Sequence, residues 1–304
     1  MIDHSIGYPT YRFFARTYRN PAKPMICQDF LPGPALQPYV KRYHLRHFVF
    51  ADMASIPFKP YAPRPEQTLA FYPRGRELVE HIGSHRRIER PRSMLMGQYV
   101  ERTNRHLSGS EFIVFLVEFY PGVLYRITGI PYYELTNTFV DAEAIFSKEM
   151  RLVNERLNST DNYPEMITIV ETFLHQLVRT LKRDSHPIDT IARLIIERPE
   201  SPLIRQLAAD ACLCPRQFER KFNERMGVNP KLFSRIARLH NAYRSKYNRP
   251  QNDWLSIALA CGYHDYQHLV KDFQRFAGVT PTTYAAEDNN APERLFGLSD
   301  SSYA

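Results

Sequence analysis

Residues 207–230, LAADACLCPRQFERKFNERMGVNP, and residues 257–281, IALACGYHDYQHLVKDFQRFAGVTP, are two copies of one pattern. Leu207 and Ala208 align with Ile257 and Ala258, and Cys212 aligns with Gly262, after which the second copy is one residue longer. Beyond that step Phe218 aligns with Leu269, Phe222 with Phe273, Gly227 with Gly278, Val228 with Val279, Pro230 with Pro281, and Phe233 with Tyr284. A helix, a tight turn, a second helix, a glycine stop and a proline restart thus occur twice. That order is the layout of a helix-turn-helix. The small Ala208 and Ala258 let the paired helices approach closely. The four-residue spacing of Phe218 and Phe222, or Leu269 and Phe273, buries one face of each second helix.

The opposite faces are then free. In the first copy that face holds Arg216, Glu219 and Arg220; in the second it holds Tyr266, Gln267, Val270 and Lys271. Such side chains can hydrogen-bond base edges in a major groove, and the valine can touch a thymine methyl. Lys221 and His268 are the candidates for phosphate contacts. Between the copies, PKLFSRIARLHNAYRSKYN, residues 230–248, predicts a single connecting helix. Its length of roughly 27 Å suits two reading helices in successive grooves about 34 Å apart.

Charge agrees with this placement. Of a formal net charge of +8, the window 187–286 has 15 Lys and Arg against nine Asp and Glu. A basic balance favours polyanionic partners, though only as a weak pointer.

The second copy, with the closing TTY, resembles the signature of the AraC/XylS family of bacterial transcriptional regulators. It keeps the IA pair, the Gly before an aromatic, the Phe three residues before F-x-G-V-x-P, and the final aromatic. The resemblance covers residues 186–286. It departs at Cys212, where a glycine is usual, and at His268, where a serine is frequent. It implies a sequence-specific regulator of transcription that binds double-stranded DNA. A small-molecule effector bound in the N-terminal half, contact with RNA polymerase, a homodimer and a bacterial setting are expected with it. The N-terminal MIDHSIGYPT, which lacks a basic-then-apolar signal pattern, and four cysteines read as reduced thiols predict a cytoplasmic protein. No cofactor is expected.

The N-terminal half reads as β-rich. FVFADM (48–53), TLAFYP (68–73), RELVEHI (76–82) and EFIVFLVEFYP (111–121) are aromatic and β-branched runs punctuated by Gly, Pro and Asn. They predict six to eight strands in a small barrel or sandwich. FLPGPALQPYVKRYH (30–44), MGQYVERTNRHLSG (96–109) and FLVEFYPGVLYRITGIPYYELTN (115–137) resemble one uncharacterised subgroup of the cupin-like sensor domains in that family. The expected fold class is α+β, with a cupin-like barrel and appended helices first. An all-α domain of two helix-turn-helix motifs joined by a long helix follows. The expected domains are 1–184, 187–286 and a flexible tail, 287–304.

Three features keep two readings each. The apolar stripe Met166, Ile169, Val170, Phe173, Leu174, Leu177, Val178 and Leu181 is either packed on the β-domain or a dimer seam. RRIERPR, 86–92, is either a solvated hairpin or an anion contact. Cys212 and Cys214 are either turn residues or a metal or redox pair. A structural zinc site needs four ligands, usually in two clusters, and neither a second close Cys pair nor a nearby His pair exists. The stretch HLRH, 44–47, is wrongly spaced for metal, because strand residues three apart point to opposite faces. No catalytic motif is present, so an enzyme is not expected. The competing reading is a cupin-like metal-binding protein or enzyme with a helical partner domain. No apolar run is long enough to span a bilayer, and no membrane partner is expected.

Overall fold

The computed structural model describes residues 25–52, 56–199, 204–298 and 300. The strands are β1 (Ile26–Phe30), β2 (Val40–Val49), β3 (Lys59–Tyr61), β4 (Gln67–His81), β5 (Arg87–Glu89), β6 (Ser93–Met96), β7 (Thr103–Phe119) and β8 (Phe139–Asp141). They form one antiparallel sheet in the order β1-β2-β7-β4-β6-β8, with β3 on β7 and β5 on β4. The expected break between 73 and 76 is instead a bulge. The register of β4 on β7 shifts on either side of Arg74, and one long bent strand continues to His81. The run expected at 48–53 begins four-fifths of the way along β2, which ends at Val49; residues 53–55 lie outside the described residues.

Strand alternation splits the sheet into two faces. Tyr43, Leu45, Leu69, Phe71, Ile113, Phe115 and Val117 pack under α1 (Val123–Thr128), α2 (Ala142–Ser159) and α3 (Tyr163–Arg179). The predicted stripe on α3 is the cover of this face: Met166, Ile169, Val170, Phe173 and Leu174 are buried, and Leu177, Val178 and Leu181 pack at its edge. The dimer seam proposed for that stripe is therefore corrected, because its apolar surface is already used inside the chain. Truncating Leu174 to Ala would open a cavity costing about 2–5 kcal/mol.

The opposite face carries Phe48, Tyr72, Met94, Phe112 and Val114, and its cover is a surprise. The tail expected to be flexible is packed here, with Phe296 and Leu298 against this cluster and Glu293 and Asp300 buried. It includes the end of α10 (Pro281–Asp288) and a single turn, α11 (Pro292–Leu295). The physical reason is pairing of its carboxylates with distant cations, which no local pattern reveals.

The remaining helices are α4 (Pro187–Glu197), α5 (Ile204–Asp210), α6 (Pro215–Met226), α7 (Pro230–Asn248), α8 (Trp254–Ala260) and α9 (Tyr266–Ala277). Among the described residues no helix is long and apolar enough to cross a membrane. The cluster 86–92 is a hairpin rim in which Arg87 pairs with Glu80 and Arg92 with Glu143. Arg90 departs from the solvated reading: its side chain is fully buried, 2.7 Å from Glu77. His44 and His47 lie on opposite faces of β2, paired with Asp29 and Glu118 in one case and with Glu111 in the other.

Candidate nucleic-acid interface

Each repeat builds its own small core. In the first, α4, α5 and α6 meet the start of α7 through Ile188, Ile191, Ala208, Phe218, Phe222 and Phe233. In the second, α8 and α9 meet the rest of α7 and α10 through Ile257, Ala258, Leu269, Phe273, Phe276 and Tyr284. The two cores share α7, a helix of 19 residues, which at 1.5 Å per residue is about 28 Å long.

The turns are alike despite their sequences. Cys212 and Gly262 both take left-handed backbone, with φ of 53° and 77°. Cys212 therefore does a glycine's work at some conformational cost. Cys214 is the residue before α6, and its N–H donates to Gln217 Oε1 at 3.4 Å. In the second copy Asp265 takes that place and accepts from the His268 N–H at 2.7 Å. All four cysteines, Cys27, Cys212, Cys214 and Cys261, are free. Among the described residues no three His, Cys, Asp or Glu side chains are grouped to hold a metal ion.

With Phe218 and Phe222 buried, Arg216, Glu219 and Arg220 are exposed together on α6. On α9 Gln267 and Lys271 are exposed, one turn apart. Tyr266 and Val270 are half-buried on the adjoining row, and the Tyr266 ring packs against the second core. Lys221 is half-buried, its charge felt by His186. Burial first, and then the Lys221 and Arg225 charges, hold His186 below the usual histidine range. His268 is half-buried, its ring edge-on to Tyr263 at 5.3 Å and its Nε2 3.4 Å from Arg238. It lines a groove of about 620 Å³ together with Lys231, Arg235, His264 and Lys271. This groove runs between the N-terminal end of α7 and the N-terminal end of α9.

Two acid–base pairs that orient the second helices are not among the expected site residues. Arg225 donates to both oxygens of Asp189, Nε at 2.6 Å and Nη2 at 2.5 Å, tying α6 to α4. Asp272, 1% exposed, accepts from Arg235 at 2.7 Å and from Arg238 at 3.4 Å, tying α9 to α7. The Tyr263 hydroxyl lies 3.2 Å from the same carboxylate; burial and the Asp272 charge push its pKa up, so it stays a donor. The signal for both was available. Arg225 stands seven residues after Phe218, and Asp272 stands three after Leu269 and four before Phe276, each on an otherwise apolar row.

The first copy also grips the sheet domain. Gln67 donates to the Arg225 carbonyl at 2.9 Å, Thr136 to the Gly227 carbonyl at 2.8 Å, and Tyr125 to Glu224 at 2.6 Å. A 3-10 turn at Tyr132–Leu135 packs against α6.

Residues 207–287 match the family model described as "Helix-turn-helix domain". Residues 28–141 match the model described as "Domain of unknown function (DUF6597)". No curated protein matches the chain. Among solved structures, ToxT from Vibrio cholerae is similar at 11% identity, with 81% of this chain and 97% of that chain covered and a TM-score of 0.46. The unsaturated fatty acid-bound form of ToxT from Vibrio cholerae matches at 11% identity over 84% of this chain and 97% of that chain, with a TM-score of 0.46. The DNA-binding domain of AdpA, a global transcriptional factor solved with a target DNA, matches at 24% identity. That match covers 34% of this chain and 95% of the other, with a TM-score of 0.32. This chain thus joins, in an α+β architecture, an antiparallel-sheet domain of a family without assigned function to a C-terminal AraC-type helix-turn-helix domain.

Proposed function

We propose that the protein is a sequence-specific DNA-binding regulator of transcription, controlled by a small molecule bound in the sheet domain. The observation that carries the first half is the pair of exposed rows, Arg216 and Arg220 on α6 and Gln267 and Lys271 on α9. Each stands on the second helix of a helix-turn-helix whose other face is buried. One connecting helix of about 28 Å fixes their separation. Arg216 and Arg220 suit guanine, Gln267 suits adenine, and Val270 suits a thymine methyl. On this reading the groove between α7 and α9, lined by Lys231, Arg235, His268 and Lys271, takes the phosphates between the two reading heads. Lys221 takes the same role for α6.

Binding of a duplex should weaken steeply with salt. If about six phosphates are neutralised, log K falls with log salt at a slope of about −5. A slope near zero, measured by fluorescence anisotropy, would remove DNA from this account. The second half rests on the sheet domain's hold on α6, through Gln67, Tyr125 and Thr136. A ligand that shifts those contacts changes the setting of the first reading head relative to the second.

A further inference from the structure

The face of the sheet turned away from α1, α2 and α3 carries charges that a simple core would not. Arg46, Lys59, Arg64 and Arg105 line a cavity there together with the carboxylates Glu66 and Glu77 and the apolar Phe48 and Phe112. The cavity is only about 70 Å³, far below the 300 Å³ or more typical of small-molecule sites. The reason is that the chain's own C-terminal segment occupies the space. Asp300 accepts from Arg46 at 3.1 Å and from Lys59 at 2.5 Å, and Glu293 also accepts from Lys59. Phe296 stacks on Phe48 at 6.0 Å.

This occupancy is incomplete on one side. Arg105 is 6% exposed and its guanidinium lies over the Tyr61 ring at 3.3 Å. Its Nε and Nη2 have no hydrogen-bond partner among the described residues. A buried donor pair without an acceptor is costly and points to an anion that can reach it.

The same segment touches the DNA-binding half. The Asp300 N–H donates to the Tyr247 hydroxyl on α7, and the Arg294 guanidinium stacks over the Tyr247 ring at 4.2 Å. Just before it, Asp288 accepts from Tyr243 of α7 at 2.7 Å. One short segment therefore bridges the charged cavity and the helix that spaces the two reading heads.

We propose that this cavity is the effector site, that its ligand is a small organic carboxylate with an apolar body, and that residues 292–298 with Asp300 are a built-in competitor that the ligand displaces. Lys59 sets the chemistry of the exchange. Both carboxylates recorded against it belong to the tail, so the tail leaves only if another anion enters; a buried ammonium left without a partner is strongly disfavoured. The carboxylate reaches Lys59 and Arg105, and its apolar body takes the place of Phe296 beside Phe48 and Phe112. Departure of Asp300 then takes its N–H from the Tyr247 hydroxyl and loosens the tie to α7. Because the open state is a minor one, apparent ligand affinity is reduced by the fraction that is open, and weakening the tail raises it.

This inference rests on the effector-controlled reading above, and its test is made without DNA so that the two can fail separately. Hydrogen exchange of the full-length chain is followed by mass spectrometry while benzoate is titrated in, with benzamide as the neutral isostere. Benzoate should release protection across 292–298, where Leu298 N–H donates to the Glu293 carbonyl, and benzamide should not. Asp300→Asn should lower the half-effect concentration of benzoate about tenfold, and Lys59→Met should abolish the effect. Tyr247→Phe loosens the tail without touching the cavity's cations and should shift the titration in the same direction, which keeps the test sound if Asp300→Asn folds poorly. Exchange unchanged by benzoate in all of these proteins overturns the proposal. So does an equal half-effect concentration in wild type and Tyr247→Phe, or an equal response to benzamide. A benzoate-dependent change in duplex affinity that disappears in Lys59→Met then links the cavity to the reading heads.

Discussion

The two helix-turn-helix copies share a layout and differ in what holds them. Gly227 and Gly278 end α6 and α9 with the same left-handed backbone, φ 82° and 72°. Around Gly278 nothing lies within 4 Å of where a Cβ would stand; around Gly227 the Tyr132 carbonyl oxygen lies at 3.1 Å and Gln98 Cβ at 3.2 Å. The end of α6 is thus clamped against the sheet domain, while α9 is held from behind by α7 through Asp272. One sequence pattern serves a copy whose second helix is clamped to the sheet domain and a copy whose second helix is held by α7. The sheet domain meets that second copy further on, where the Tyr284 hydroxyl accepts from the Ala62 N–H at 2.9 Å. The difference teaches that a repeat fixes the fold of each copy but not its partners.

The largest expected effect tests the anchor of the second copy. Asp272→Ala leaves the buried Arg238 and the neighbouring Arg235 without their carboxylate and should cost about 3–5 kcal/mol, the usual range for breaking a buried pair. Trp254, the sole tryptophan, packs edge-on against Phe273 at 5.7 Å and reports on this copy alone. In urea its fluorescence transition should move below the circular-dichroism transition. Coincident transitions shifted together would show that the second copy is not an independent unit.

A smaller effect should separate the glycines. Gly278→Ala carries the backbone penalty alone, about 1 kcal/mol, whereas Gly227→Ala adds a clash with the sheet domain and should cost about 2–3 kcal/mol. Equal losses in thermal denaturation would mean that the clamp on α6 yields freely. Tyr125→Phe removes one hydrogen bond of that clamp, to Glu224, and should cost about 1 kcal/mol with little change in Trp254 emission. The smallest effect concerns the turns. Cys212→Gly should stabilise the first copy by about 0.5–1 kcal/mol, because a glycine relieves the left-handed strain that Gly262 does not have, less the entropy a glycine adds to the unfolded chain. A loss of stability there would show that the thiol itself is needed.

The helical half was legible because its signals are local: apolar residues four apart, glycines at the stops, prolines at the restarts. The exposure of Arg216, Glu219, Arg220, Gln267 and Lys271 followed from the buried rows, whereas Tyr266 and Val270, expected on the free face of α9, are half-buried. The strands were partly legible; β4 was read as two because Pro73 and Gly75 look like a break, and only the long pairing with β7 carries the strand across its bulge. The α3 stripe was plain, but periodicity cannot say what covers it, and the sheet does. The C-terminal segment was missed for a similar reason. EDNNAPERLFGLSDSSYA has a polar, turn-rich composition, and what orders Asp300 is Arg46, 254 residues earlier in the chain. Arg225 and Asp272 lay between: their places on apolar rows were visible, while their partners, Asp189 for the one and Arg235 and Arg238 for the other, needed the fold.

Arg220 offers the most direct test that these exposed rows read a sequence. It stands one turn after Arg216 on α6, exposed between the buried Phe218 and Phe222, where its guanidinium can take guanine O6 and N7 together. Affinity of wild type and Arg220→Ala is measured at one salt concentration, for a duplex enriched from a random pool and for an unrelated duplex. The account predicts a loss of about ten- to a hundredfold on the enriched duplex, the equivalent of roughly 1–3 kcal/mol, and a much smaller loss on the unrelated one. Equal losses on both would reassign Arg220 to the phosphates, and no loss on either would contradict the claim that this face of α6 enters the groove.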